Sequence, residues 1–428
     1  MFFSIKDNYS FGLRNMKNDN KRTLVVVGAG FAGLQLVKKL KNSDLRIILI
    51  DKSNHHLFQP LLYQVAMSAL SPADISAPVR TILKKQKNVE VIMGEVKAID
   101  KTAKTLYVNG SSIAFDWLVL ATGAKHSYFG KNEWEQHAPG LKTLADALAI
   151  REKMLLSFEE AENNAFIGGN CPPVKFVVIG GGPTGVEVAG SLAEIARKTL
   201  KKDFRNIDTS KTEIVLLEGS DRLLAAYDPP LNEKALADLK ALGVQVRLKT
   251  LVTGIDETGV YIGDEKIETK NVIWAAGNAA SPLIKSLETE TDRMGRAIVR
   301  ENCSIKESDD IFVIGDAAHF SQDGNPLPGI APVAMQQGRY IAKLIKNRLK
   351  GAETPAFRYH DKGSMATIGR ARAVFQSGNI KLSGFIAWFL WVFIHIMYLI
   401  GFRNRYRVMA EWMWYYISFK PGARLITR

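Results

Sequence analysis

Two glycine-rich turns, Gly28-Ala29-Gly30-Phe31-Ala32-Gly33 and Gly180-Gly181-Gly182-Pro183-Thr184-Gly185, lie about 150 residues apart in a chain of 428. Each follows a short apolar run, Thr23 to Val27 or Val174 to Ile179, and each opens a helical pattern. In that context the first Gly permits the tight turn, the second lets backbone approach a pyrophosphate, and the third lets helix pack on strand. The helix that follows offers its positive N-terminal end to phosphates. An acid closes the next strand in both halves. Asp51 lies 18 residues past Gly33, where a carboxylate can accept hydrogen bonds from ribose hydroxyls. Glu218 lies 33 residues past Gly185, and the basic insert from Arg197 to Lys211 accounts for the excess over the usual spacing of about 20. A carboxylate there repels a 2′-phosphate and favours NADH over NADPH, a preference that Arg222 moderates. Two such turns imply two dinucleotides and electron transfer between them.

Further residues fit the same chemistry. Asp316 ends the apolar run Ile311 to Gly315, as a cofactor-sugar contact does; the bland reading is a helix cap. Ala121-Thr122-Gly123 ends one strand, and Gly277 ends the run Val272 to Ala276, an echo of the first half. Small residues there allow a cofactor close to the backbone, or simply make a turn. Glu187 falls in the first turn of its helix, where an acid stabilises the N-terminus by about 0.3–1 kcal/mol. An acid there also repels the pyrophosphate, which points to a role beside the nicotinamide.

The elements that must position these residues alternate strand and helix, which argues for an α/β chain with two Rossmann-like dinucleotide-binding domains. Helices are expected at Leu34 to Leu40, 145–163, Pro230 to Leu242 and Pro332 to Leu349. Residues 1–20 read as a flexible leader without a secretory signal. A discontinuous first domain at 21–165 and 291–375, a second domain at 166–290 and a C-terminal unit at 376–428 complete the organisation.

Two cysteines, Cys171 and Cys303, carry neither metal nor redox spacing, so no metal site is expected. A net charge of +14 admits nucleic acid, but the tail accounts better for much of it. Leu382 to Phe402 spans 21 residues without a formal charge other than His395. Trp388, Trp391, His395 and Tyr398 fall at helical spacing on one face, with the apolar bodies and polar tips that suit a membrane interface. Arg403, Arg405, Arg407, Lys420, Arg424 and Arg428 follow, against Glu411 alone. A single span would export those cations, against the positive-inside tendency. A pair of helices lying in the interface, with Val408 to Phe419 as the second, fits better and attracts anionic lipid.

Together the residues resemble the type II NADH dehydrogenases, single-subunit, non-pumping NADH:quinone oxidoreductases of the two-dinucleotide-binding flavoprotein class. The resemblance rests on both glycine turns, Asp51 to Ala66, Leu70 to Ile75, the run through Glu187, Ile314 to Ala318, Ala331 to Gly338 and Lys362 to Arg370. It implies FAD on the first turn and NADH on the second. Gly28, Ala29, Gly30, Phe31, Ala32, Asp51, Lys52, Val96 and Asp316 are then expected to contact FAD. Ala334 and Met335 would point backbone N–H groups at the flavin ring, and Lys362 would sit near its edge. Gly180, Gly182, Thr184, Gly185, Glu218 and Gly277 belong to the NADH side. Glu187, with Lys362 and Gln336, would help protonate a membrane quinone. Pro332 stands where the family's Ala-Gln-x-Ala-x-Gln run has its first Gln, so one donor to the quinone is missing. The resemblance further implies a homodimer, peripheral on the cytoplasmic face of the inner membrane, with no nucleic-acid partner. Relatives that reduce disulfide, sulfide sulfur or peroxide need cysteines near the flavin, and 34–70 contains none. The competing readings are a soluble ferredoxin- or rubredoxin-type reductase and a non-catalytic flavin redox sensor.

Overall fold

The computed structural model describes residues 21–418 and 423–426; the expected leader, together with Phe419, Lys420 and Arg428, lies outside the described residues. Five parallel strands run in the order Ile311–Val313, Trp117–Leu120, Thr23–Val27, Arg46–Asp51 and Val89–Met93. Four more, Gln245–Arg247, Glu213–Leu217, Lys175–Ile179 and Asn271–Trp274, form a second parallel sheet. Leu24 to Val27 and Phe176 to Ile179 are buried throughout, because helices and loops cover both faces of each sheet. In each sheet the strand before the glycine turn is central, and its neighbours lie to either side. That is where strand order reverses and where ligands bind outside the carboxyl ends of parallel strands.

The expected helices appear at Phe31–Lys39, Leu144–Phe166, Pro183–Glu194, Pro229–Ala241 and Ala331–Leu349. Helix Ala331–Leu349 lies directly on helix Phe31–Lys39, where a Cβ on Gly338 would meet the Ala32 carbonyl. That contact returns the late segment to the first sheet, as the discontinuous organisation requires.

A three-stranded antiparallel sheet, Ser364–Gly369, Arg372–Ser377 and Ile380–Ser383, joins the two units to the tail. The boundary expected between 375 and 376 falls inside its middle strand. The sheet packs on helix Pro183–Glu194, with Gly190 against the Ile368 carbonyl. Helices Gly384–Tyr398 and Phe402–Ser418 follow. The first has 15 residues, about 22 Å of helix, and the chain then breaks toward Gly401 at φ +89°. Among the described residues no helix is long and apolar enough to cross a membrane.

Candidate functional site

At the first turn Gly28 adopts φ +107°, and a Cβ there would collide with the Ala121 carbonyl. Ala121-Thr122-Gly123 therefore lies directly beside the turn, where Ala121 N donates to Val27 O at 2.8 Å. The Asp51 carboxylate shapes the same turn. Ala29 N donates to its Oδ2 at 2.6 Å and Ser53 N to its Oδ1 at 2.7 Å. Each oxygen retains a lone pair for a ribose hydroxyl. A Cβ on Gly30 would meet nothing within 4 Å, the open approach that a pyrophosphate needs. Gly33 packs against the Gly28 carbonyl, Val96 is buried and Lys52 is exposed.

Three other segments converge on this turn. Gly315 N donates to Gln337 Oε1 at 2.7 Å, and a Cβ on Gly315 would lie 3.5 Å from that of Ala334 and 3.6 Å from that of Ala32. Asp316 is enclosed, and burial pushes its carboxyl up while Lys142 and Arg296 pull it back. Burial in turn pushes the Lys142 ammonium down, and Asp316 opposes that. The two charges face each other without a mutual hydrogen bond. Nearby, Thr122 Oγ1 and His56 Nε2 are buried without a protein partner. His56 Nδ1–H donates to Ala29 O at 2.9 Å, which leaves Nε2 as an acceptor. Unpaired polar groups of this kind around an open glycine turn fit a cofactor rich in hydroxyls and phosphates, and FAD is such a group.

One expectation fails here. Helix Ala331–Leu349 starts early enough that Ala334 N–H is bonded to Ile330 O at 3.2 Å, and Met335 lies one residue further inside. The N–H groups without an intrahelical acceptor belong to Ala331 and Val333, since Pro332 has none. Any backbone donor to a flavin ring at this helix end must come from those two residues.

The second turn repeats the geometry. Gly180 has φ +111°, and a Cβ on it would lie 2.8 Å from the Ala275 carbonyl. Glu218 Oε2 accepts from Gly181 N, and Oε1 accepts from Ser220 N at 2.7 Å. Gly182 is open like Gly30, and Gly185 packs on the Gly180 carbonyl. Thr184 is partly accessible in the first helical turn. Gly277, at φ +68°, abuts Ser127 O and the Phe129 ring. Arg222 pairs with Asp221 at 3.0 Å rather than with Glu218.

Glu187 projects from the same helix toward strand Ser364–Gly369 and the Tyr227 ring. Burial pushes its carboxyl up to about 8, only partly offset by the Thr367 backbone. The Tyr227 hydroxyl is raised by burial first and by Glu187 second. Glu187 therefore carries a proton at neutral pH. An acid this near a pyrophosphate is tolerable because it is kept neutral.

The remaining expected residues bond to partners other than Glu187. Gln336 is pinned: its Nε2 donates to His360 O at 2.9 Å, and His360 N donates to its Oε1 at 3.1 Å. Lys362 is exposed, with Nζ 3.4 Å from the Tyr398 hydroxyl at the end of the tail helix. Sequence reasoning passed over His56, Lys142, Tyr227 and Gln337. His56 and Gln337 lay within stretches that carry the resemblance; nothing in the spacing marked Lys142 or Tyr227.

Of the four residues expected on the membrane face of the tail helix, Trp391 and His395 turn inward while Tyr398 stays 40% exposed. Trp391 and Trp412 are buried at 1% and 3%, and Trp412 Nε1 donates to Gln64 Oε1 at 2.8 Å. His395 stacks on Trp391 at 4.2 Å and donates through Nδ1 to the Trp391 carbonyl at 2.7 Å; burial holds its pKa down near 4 against the opposing effect of that bond. Trp391 and His395 thus face the protein. The exposed face carries Phe385, Ile386, Phe389, Phe393 and Met397 instead, because the larger amphipathic rings fill the groove against Tyr63 and Gln64.

Residues 22–338 match the family model of pyridine nucleotide-disulphide oxidoreductases, and residues 361–418 match that of the NDH2 C-terminal domain. Two type II NADH:quinone oxidoreductases of Mycobacterium tuberculosis are similar throughout. One is 42% identical over 94% of this chain and 88% of its own; the other is 40% identical over 95% and 90%. The fold is that of an NDH2 from Plasmodium falciparum solved in complex with NADH, at TM-score 0.84 and 20% identity, covering 95% of this chain and 100% of that one.

Proposed function

Because the chain belongs to the type II NADH:quinone oxidoreductase family, we propose a division of labour in which the first glycine turn holds FAD, the second holds NADH, and the quinone arrives beside the tail helices. The protein oxidises NADH and reduces a quinone. Bound FAD supplies the two-electron chemistry between the substrates. The chain's own residues bind, orient and provide protons. Asp51 and Glu218 fix the two turns, while Asp316, Lys142, Thr122 and His56 take the polar groups of FAD. Glu187, protonated at neutral pH, holds the proton destined for the reduced acceptor.

The reading is carried by the two matched turns, each closed by a strand-end carboxylate, on a chain with no redox cysteine pair. Cys303 is buried with its thiol pushed up, and Cys171 donates to Ala161 O. The acceptor is therefore not sulfur bonded to this chain. The apolar face at Phe385 to Met397 favours a lipid-dissolved acceptor over a soluble carrier protein, and supports peripheral attachment to the cytoplasmic membrane surface. A homodimer is part of the same proposal by family likeness. The test is to purify the full chain in detergent, record its flavin absorbance and measure quinone-dependent NADH oxidation. A colourless protein, or oxidation indifferent to added quinone, overturns it.

A further inference from the structure

Reduction of a quinone by NADH follows NADH + H⁺ + quinone → NAD⁺ + quinol, so each turnover draws one proton from solution. An enclosed acid such as Glu187 can give that proton once and must then be refilled. Along helix Pro183–Glu194, Ser191 and Glu194 follow Glu187 at four and seven residues, on one face. Ser191, Glu194, Thr367, Arg370, Tyr63 and Trp391 line a cavity of about 40 Å³ where this helix meets the C-terminal sheet and tail. That is room for about three waters, and the lining is polar enough to keep them. Trp391 is 1% exposed, and its Nε1–H has no protein partner. A buried indole donor on a polar cavity is satisfied by water. Thr367 belongs both to this cavity and to the backbone contact of Glu187. Arg370 N donates to Glu194 Oε1 at 2.7 Å, so the hairpin holds one carboxylate oxygen of this cavity-lining residue.

We propose that this cavity is the proton inlet of the site: a short water chain held by Trp391 and Ser191 passes protons from the Glu194 carboxyl to Glu187. The inference rests on the quinone-reductase reading and assigns the route by which that site is recharged. One proton enters at Glu194 for each proton leaving Glu187, and no bond other than O–H forms or breaks. Burial raises the Glu194 carboxyl, while Lys198 on its own helix and Arg370 and Arg372 on the hairpin hold it down. Arg372 is shared with Asp238, which Lys234 also pairs, and Tyr227 adjoins Glu187.

The test uses the full, flavin-loaded chain mixed anaerobically with NADH and menadione as the quinone, with proton uptake followed by a pH-indicator dye. Glu194→Gln keeps the bond from Arg370 and the side-chain volume but cannot carry a proton. It is expected to retain flavin content, NADH affinity and melting temperature, while proton uptake slows about tenfold and its solvent deuterium effect grows. Ser191→Ala, which removes only a hydroxyl from the cavity lining, is expected to slow uptake in the same sense, and it serves if Glu194→Gln does not fold. Wild-type uptake rates and isotope effects in either folded variant overturn the inlet. Absence of quinone-dependent NADH oxidation in the wild type overturns the functional reading, whereas quinone reduction with unchanged uptake kinetics in the variants overturns the inlet alone.

Discussion

In the proposed reaction the chemistry turns on Glu187, and its environment fixes its behaviour. Its carboxyl rises from 4.5 to about 8 because burial removes water from the charged form, and the Thr367 backbone recovers only part of the loss. Glu187→Gln preserves shape and neutrality, so the fold and both dinucleotides are expected to stay in place. Quinone-dependent turnover is expected to fall roughly 100-fold, the scale of a lost general acid, as read in steady-state NADH oxidation. The same shift makes a stability prediction. The folded state binds the Glu187 proton more tightly than the unfolded chain, so this group's contribution is complete at low pH. It is lost as pH rises from the unfolded value through about 8. Thermal melts across that window are expected to decline more steeply for wild type than for Glu187→Gln. Equal slopes refute the assigned protonation.

Among the elements, the two glycine turns make a matched pair of predictions. Gly28 and Gly180 both adopt positive φ, and both press against a carbonyl of the neighbouring strand end, at Ala121 and Ala275. Alanine at either site is strained and collides with backbone rather than with a movable side chain. Gly28→Ala is expected to yield protein with little bound flavin. Gly180→Ala is expected to stay yellow and lose affinity for NADH by at least tenfold, about 1.4 kcal/mol, in equilibrium titration. Identical phenotypes contradict the allocation of cofactors. These turns were legible in the sequence because a tight turn, an open approach and a close helix contact each demand glycine. The parallel strands were legible because burial on both faces leaves an unbroken apolar run such as Leu24 to Val27. The sheet from Ser364 to Ser383 was not, since small and polar residues such as Ser364, Thr367 and Gly369 interrupt any unbroken or alternating apolar run. Nor were Lys142 and Tyr227, whose roles arise only when distant segments meet. The tail was read with the correct helix count but with Trp391 and His395 on the wrong face, because such rings suit an interface and a groove equally well. Their burial has a practical consequence. Leu399, Val408 and Trp412 share a core with Leu61, Tyr63 and Val65, so deleting 382–428 exposes that core. Truncation is therefore expected to destabilise the enzyme rather than cleanly solubilise it. Phe389→Ser with Phe393→Ser alters only side chains exposed by 61% and 57%. This pair is expected to abolish flotation with neutral vesicles at unchanged melting temperature.

For the whole molecule, attachment to lipid combines two independent forces. Charge acts at a distance: 57 Lys and Arg against 43 Asp and Glu leave the chain at +14. The apolar face of helix Gly384–Tyr398 acts only on contact. Arg407 lies on the next helix, exposed, while Arg405 is already committed to the Leu399 carbonyl at 2.8 Å. Arg407 is thus the better cation for an anionic headgroup. A basic residue near such a surface contributes about 1 kcal/mol, roughly a fivefold change in partition. Arg407→Ala is expected to weaken binding to anionic vesicles by about that factor at low salt, with no change for neutral vesicles. Raising the ionic strength should erase the difference between wild type and Arg407→Ala, whereas the effect of the Phe389 and Phe393 substitutions should persist. If Arg407→Ala weakens neutral and anionic binding alike, the cation acts through the fold of the helix pair and not through the lipid's charge.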